Sequence, residues 1–169
     1  MGDAQIAIFL SLLFLAVLWD VRTHRIPNGL IVTGLLFSFL REGMEAGVSG
    51  LLYAGAGMLV PCILLAPLYH FRMIGAGDIK LLSMAGAFAL VLSILTILVL
   101  SFLLGGVYAA VLVLIRGNVH SRFFYLKTYL TDYVKTGRRQ SYIGHSTPDG
   151  LFCFSIPVFL AVCLTLWMG

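Results

Sequence analysis

The chain has 169 residues, of which 60% are hydrophobic and only 11% charged, with a mean hydropathy of +1.03. A soluble domain carries about a quarter charged residues, so this chain cannot cover a water-facing surface. The composition excludes a soluble enzyme and predicts a single all-α integral membrane domain over residues 1–169. A net charge of +4 and a pI near 9.2 would suit a nucleic-acid binder. The basic residues sort by membrane side instead, so no nucleic acid is expected as a partner.

Apolar runs fall at about 4–19, 29–40, 48–69, 79–115 and 150–168. The first is not a cleavable signal peptide: it carries Asp3 in place of a basic start, and no small-residue cleavage pattern precedes Asp20. A crossing helix needs about 20 residues for a hydrocarbon core of roughly 30 Å. The run 29–40 therefore extends to Pro27 and Asn28 at one end and to Arg41 and Glu42 at the other. Asn28 is the expected N-cap. The run 79–115 would reach about 55 Å as one helix, too long even when tilted, so two helices with a turn near Ala89–Ser93 are predicted.

Charge supports that division. With a turn there, Arg22, Arg25, Arg72, Lys80, Arg116, Arg122, Lys127, Lys135, Arg138 and Arg139 all fall on one side, and only Arg41 falls opposite. Short cytoplasmic loops collect Lys and Arg. The expectation is six transmembrane helices with both termini outside. A cytoplasmic amphipathic loop over 117–147 would join helices 5 and 6, its Arg122, Lys127 and Lys135 facing anionic lipid. Trp19 and Trp167 mark interfaces. The frequent glycines, Gly50, Gly55, Gly57, Gly86, Gly105 and Gly106 among them, mark close helix contacts. Cys62, Cys153 and Cys163 lie in or at the edge of apolar runs without metal-site spacing and read as packing residues, so neither a metal nor a cofactor is expected.

Two acids stand out within this topology. Asp20 ends the first run, in Trp19-Asp20-Val21-Arg22-Thr23-His24-Arg25-Ile26-Pro27-Asn28, and Asp78 opens a later one, in Gly75-Ala76-Gly77-Asp78-Ile79-Lys80. A charge at a helix centre in lipid costs roughly 2.5–3.5 kcal/mol on insertion scales, so intramembrane acids are functional candidates. Both fall on the cytoplasmic face once the basic residues are counted. Gly75 and Gly77 allow positive φ and close backbone approach at a helix start, and Pro27 tightens the other connection. Two carboxylates a few ångströms apart share a proton. One can then activate water as a general base while the other polarises a peptide carbonyl and protonates the leaving amine.

Simpler roles exist for each acid alone. Asp20 could pair with Arg22 or Arg25, and Asp78 could be a first-turn acid favoured by the helix dipole. Their coincidence on one face, with the glycines, favours the dyad. His24, His70 and Lys80 read as interfacial residues, and Asp149, in Thr147-Pro148-Asp149-Gly150, reads as a turn or cap acid at the cytoplasmic start of the last helix that needs no function.

The segment Asp20 to Asn28, ending in Ile26-Pro27-Asn28, together with Gly75-Ala76-Gly77-Asp78-Ile79-Lys80-Leu81-Leu82, resembles the type IV prepilin peptidases, membrane aspartic proteases of the GxGD kind. The resemblance implies catalytic aspartates at Asp20 and Asp78, with Gly75, Gly77, Pro27, Asn28 and Lys80 supporting the site. It also implies cleavage of a basic leader from a prepilin-like or Flp-type pilin precursor at the inner (cytoplasmic) membrane. The likeness is to the short form, without the N-terminal part linked to methylation of the mature pilin. Pro148-Asp149-Gly150 departs from the aromatic P-[YF]-G-like start usual for the last helix of that family. Three alternatives remain: a GxGD protease of other substrates, a small ion- or proton-coupled transporter or channel, and a purely structural membrane subunit, which would leave the paired aspartates unexplained. The transporter would place its acids at mid-depth, often within internal repeats.

Overall fold

The computed structural model describes residues 3–71, 73–115 and 153–168. The expected amphipathic segment 117–147, Arg72 and Asp149 lie outside the described residues. The chain forms two compact units, Met1–Gly105 with Cys153–Gly169, and Gly106–Phe152; the site lies in the first.

Every described element is helical: α1 (Asp3–Thr23), α2 (Asn28–His70), α3 (Ala76–Ile115) and α4 (Ser155–Met168). Three stretches, Gln5–Thr23, Asn28–His70 and Ser93–Leu112, are long and apolar enough to cross a membrane, and α4 is a shorter apolar helix.

The 43 residues of α2 do not run straight. Gly47 has φ 60° and ψ −137°, outside the helical region, a conformation that an L side chain rarely tolerates. A Cβ on Gly43 would lie 3.3 Å from Leu51 Cδ2, although eight residues of straight helix span about 12 Å. The chain therefore doubles back at Gly47, leaving arms 28–46 and 48–70. The turn is tight enough that a Cβ on Gly50 would run into the Glu42 carbonyl.

The same reasoning applies within α3. A Cβ on Gly86 would stand 3.2 Å from Ile94 Cγ1, again across eight residues. The chain reverses between them.

The stretch from Leu81 to Phe88 is buried at every position. A helix buried on all sides is enclosed by its neighbours, so the start of α3 is the central element of the unit. Phe88 stacks on Phe9 of α1, with ring centroids 4.6 Å apart, and on Phe37 of α2 at 6.0 Å. Ser38 Oγ donates a 2.7 Å hydrogen bond to the Ala87 carbonyl. Gly86 brings two backbones together, since a Cβ there would collide with the Gly57 carbonyl, while Gly34 leaves room for the Met84 side chain. Small residues commonly permit this approach in membranes, where packing replaces the hydrophobic drive. The outer faces carry exposed Leu36, Leu40, Leu52, Ile63, Val99 and Leu103.

α1 and the first arm of α2 are antiparallel. Gln5 Nε2 donates to Glu45 Oε1 at 2.6 Å, and Arg41 pairs with Glu42 at 3.1 Å and with Glu45 at 2.8 Å. This polar cluster sits at the far end of α1 from Asp20. Among the described basic residues, Arg41 is thus at one end and Arg22, Arg25 and Lys80 are at the other.

Candidate active site

Asp20 occupies the last turn of α1 and is 8% exposed. That turn ends by a left-handed cap. His24 has φ 51°, and its N–H donates to the Asp20 carbonyl at 2.7 Å. Thr23 Oγ1 lies 2.8 Å from the Trp19 carbonyl and 3.0 Å from the Arg25 carbonyl, which holds the exit of the helix. Three residues later Pro27 takes the N-cap position of α2 at φ −63°, ψ 129°, its carbonyl accepting from the N–H groups of Leu30 and Ile31. Proline suits an N-terminus, where its missing N–H is no loss.

The expected N-cap role of Asn28 is corrected. Asn28 is the first helical residue of α2, and its Oδ1 accepts a 2.9 Å hydrogen bond from Lys80 Nζ. A carboxamide already inside the first turn cannot fold back on its own helix start, so it is free to reach across to α3.

Asp78 lies in the first turn of α3 and is half-buried. The Gly75 N–H donates to its carboxylate, the arrangement by which an acid three residues into a helix satisfies the cap N–H. Neither Gly75 nor Gly77 has positive φ; among the described residues Gly47 is the glycine that does. The expectation of left-handed freedom in this motif is therefore corrected: at Gly75 the need is for space. A Cβ there would lie 3.1 Å from Asp78 Oδ2, whereas one on Gly77 would make only ordinary contact with Ile26 Cδ1 at 3.9 Å.

The fold brings the two acids together. The C-terminal turn of α1 carries Asp20 and the N-terminal turn of α3 carries Asp78, and the two ends are joined by the Lys80–Asn28 bond and the packing of Gly77 against Ile26. Gly75, Gly77, Pro27, Asn28 and Lys80 all gather at this end.

Two residues in contact with Asp20 were not anticipated as site residues. Ser155, fully buried at the start of α4, donates a 2.6 Å hydrogen bond to Asp20 Oδ2. Cys153 Sγ lies 4.0 Å from the Asp20 carbonyl and 3.6 Å from His24 Nδ1. Nothing local in the sequence marks Ser155, because a serine at the head of an apolar helix reads as packing. Among the described residues, no group of three or more His, Cys, Asp or Glu side chains is placed to hold a metal ion.

Chemically, the arrangement is a pair of carboxyls at one end of a helical unit. One is buried and hydrogen-bonded, and the other stands at a helix start more open to water. Such a pair can hold one proton between them and exchange it with a substrate.

An apolar helical unit of this kind, with helices long enough to cross a bilayer, is that of a membrane protein. The chain matches the model of the type IV leader peptidase family over residues 7–110, more than half its length, and it belongs to that family. The matched region contains both aspartates and every supporting residue named from the motifs. No curated protein and no solved structure gave a match.

Proposed function

We propose that this chain is a membrane-embedded aspartic endopeptidase that removes the basic leader of prepilin-like precursors at the cytoplasmic membrane face. The observation that carries the reading is the placement of Asp20 and Asp78 at the same end of the unit, where Lys80 bonds Asn28 and Gly77 packs against Ile26. Two acids supplied by different helices lie at one end of an apolar unit, and a local capping role for Asp78 does not account for both. Membership in a leader peptidase family makes peptide hydrolysis the chemistry such a pair would perform.

In this reading the chain crosses the bilayer six times. The reversals at Gly47 and between Gly86 and Ile94 support that count. The separation of Arg41 from Arg22, Arg25 and Lys80 supports a cytoplasmic site. The precursor's apolar segment lies among the spans while its basic leader stays in water, which brings the junction to the depth of the dyad. One aspartate, ionised, takes a proton from a water attacking the scissile carbonyl. The other, protonated, hydrogen-bonds the carbonyl oxygen and passes its proton to the departing amine.

Purified enzyme mixed with a precursor bearing a basic leader followed by an apolar helix tests this. Mass spectrometry should find the mature product shortened by the leader. Asp20→Asn and Asp78→Asn should each slow cleavage by at least about a hundredfold, the range of a lost general acid or base. Rapid cleavage by either variant would remove the aspartyl mechanism.

A further inference from the structure

We propose that Ser155 is a positioning residue for Asp20, fixing one oxygen of its carboxyl so that the other is presented to Asp78. The proposal deepens the endopeptidase reading above and rests on it for the catalytic consequence, though not for the hydrogen bond itself.

The contact is specific and well enclosed. Ser155 Oγ donates to Asp20 Oδ2 at 2.6 Å, within the short range of O–H donors to carboxylates. Ser155 is 0% exposed and Asp20 8%, so the serine hydroxyl is shielded from water and has the carboxyl as its partner. The hydroxyl comes from a helix start 135 residues away in sequence. Its segment is fastened to the same turn of α1 a second time, through Cys153 Sγ against the Asp20 carbonyl and His24 Nδ1. Phe154, between them, packs on Phe102 of α3 at 5.4 Å. The start of α4 thus acts as a clasp on the end of α1.

A carboxyl at the end of a helix can rotate about its last bond, and a terminal turn frays easily. A donor seated on Oδ2 removes that rotation and leaves Oδ1 to face Asp78 and the attacking water. Orientation of a reacting group, more than its presence, sets how much of the barrier is met in advance. A serine hydroxyl suits the task because it is short, has one proton to give and does not titrate. Ser155 lies beyond the matched stretch 7–110, so the family match does not account for it.

The test compares wild type with Ser155→Ala and Ser155→Thr, purified in detergent. Ser155→Ala should lower kcat roughly ten- to hundredfold, the equivalent of one hydrogen bond to a charged group, while KM changes less than about twofold. Ser155→Thr, which keeps the hydroxyl, should recover most of kcat. Infrared difference spectra of wild type minus Ser155→Ala should contain a carboxyl-band change that vanishes when both are made in an Asp20→Asn background. That spectral readout needs no substrate, so it decides on the clasp even if no prepilin-like precursor is cut. Absence of the Asp20-dependent band overturns the proposal whatever the kinetics. Wild-type kcat in Ser155→Ala overturns its catalytic part while leaving the endopeptidase reading intact.

Discussion

Lys80 Nζ donates a 2.9 Å hydrogen bond to Asn28 Oδ1, joining the N-terminal end of α3 to the first turn of α2 across 52 residues. Each partner lies a short step from an acid, Asn28 beyond the loop that follows Asp20 and Lys80 two residues after Asp78. On a helix, residues two apart diverge, so Lys80 does not serve Asp78 directly. It ties the start of α3, which carries Asp78, to the start of α2, which follows Asp20.

Lys80→Ala and Asn28→Ala should therefore have similar, modest effects. An exposed bond of this kind contributes about 1 kcal/mol, so kcat/KM should fall by roughly threefold to tenfold. The double variant should be no worse than either single one. A double-mutant cycle on cleavage rates measures this, and additive losses would show that the two residues act separately.

The central packing gives a second expectation. A Cβ on Gly86 would collide with the Gly57 carbonyl, which is backbone and cannot rotate away. Gly86→Val should push the arm 48–70 off the buried start of α3, at a cost of about 1–3 kcal/mol or more. The apparent melting midpoint in detergent should drop by several degrees. Gly29, with nothing within 4 Å of its Cβ direction, is the matched control, and Gly29→Ala should leave the midpoint nearly unchanged.

Much of this arrangement was legible in the sequence, and for physical reasons. Asp20 and Asp78 could be placed on one face because lysines and arginines resist crossing a bilayer. Gly47 falls in the gap between the runs 29–40 and 48–69, where a chain that must return has few residues in which to do it. The grouping of Pro27, Asn28, Gly75, Gly77 and Lys80 with the aspartates followed from their motifs. What could not be read was contact across the fold. Asn28 has the chemistry of a cap, but Pro27 takes that position and leaves the Asn28 carboxamide to reach Lys80. Gly75 has the chemistry of a left-handed turn, but the space it leaves for Asp78 Oδ2 depends on a rotamer. Ser155 and Cys153 carry no local mark, since their partners on α1 lie 129 to 135 residues away.

Orientation in the bilayer can be measured directly. Single cysteines at Arg25 and Glu45, in a background lacking Cys62, Cys153 and Cys163, should react from opposite sides of inverted membrane vesicles. Arg25 stands at the Asp20 end of α1, and Glu45 bonds Gln5 at the other. Impermeant reagent added to the cytoplasmic surface should label the Arg25 position and spare Glu45. Labelling of both from one side would break the link between charge and sidedness, and the cytoplasmic placement of the site with it.

The dyad itself makes the sharpest kinetic forecast. If Asp20 and Asp78 share one proton, neither is useful alone: a lone carboxylate lacks the acid that releases the amine, and a lone acid lacks the base. Removing one member then costs nearly the whole acid–base contribution, and removing the second has almost nothing left to take. Such non-additivity is the signature of groups acting as a unit. Asp20→Ala, Asp78→Ala and the double variant should cleave a precursor at similar residual rates, each at least about a hundredfold below wild type. All three should insert in the membrane, because an alanine at a helix end is readily accommodated in lipid. Single-turnover assays with excess enzyme separate this from weakened binding. A double variant slower than each single one by the product of their effects would mean that the two aspartates contribute independently, and a shared proton would no longer describe the site.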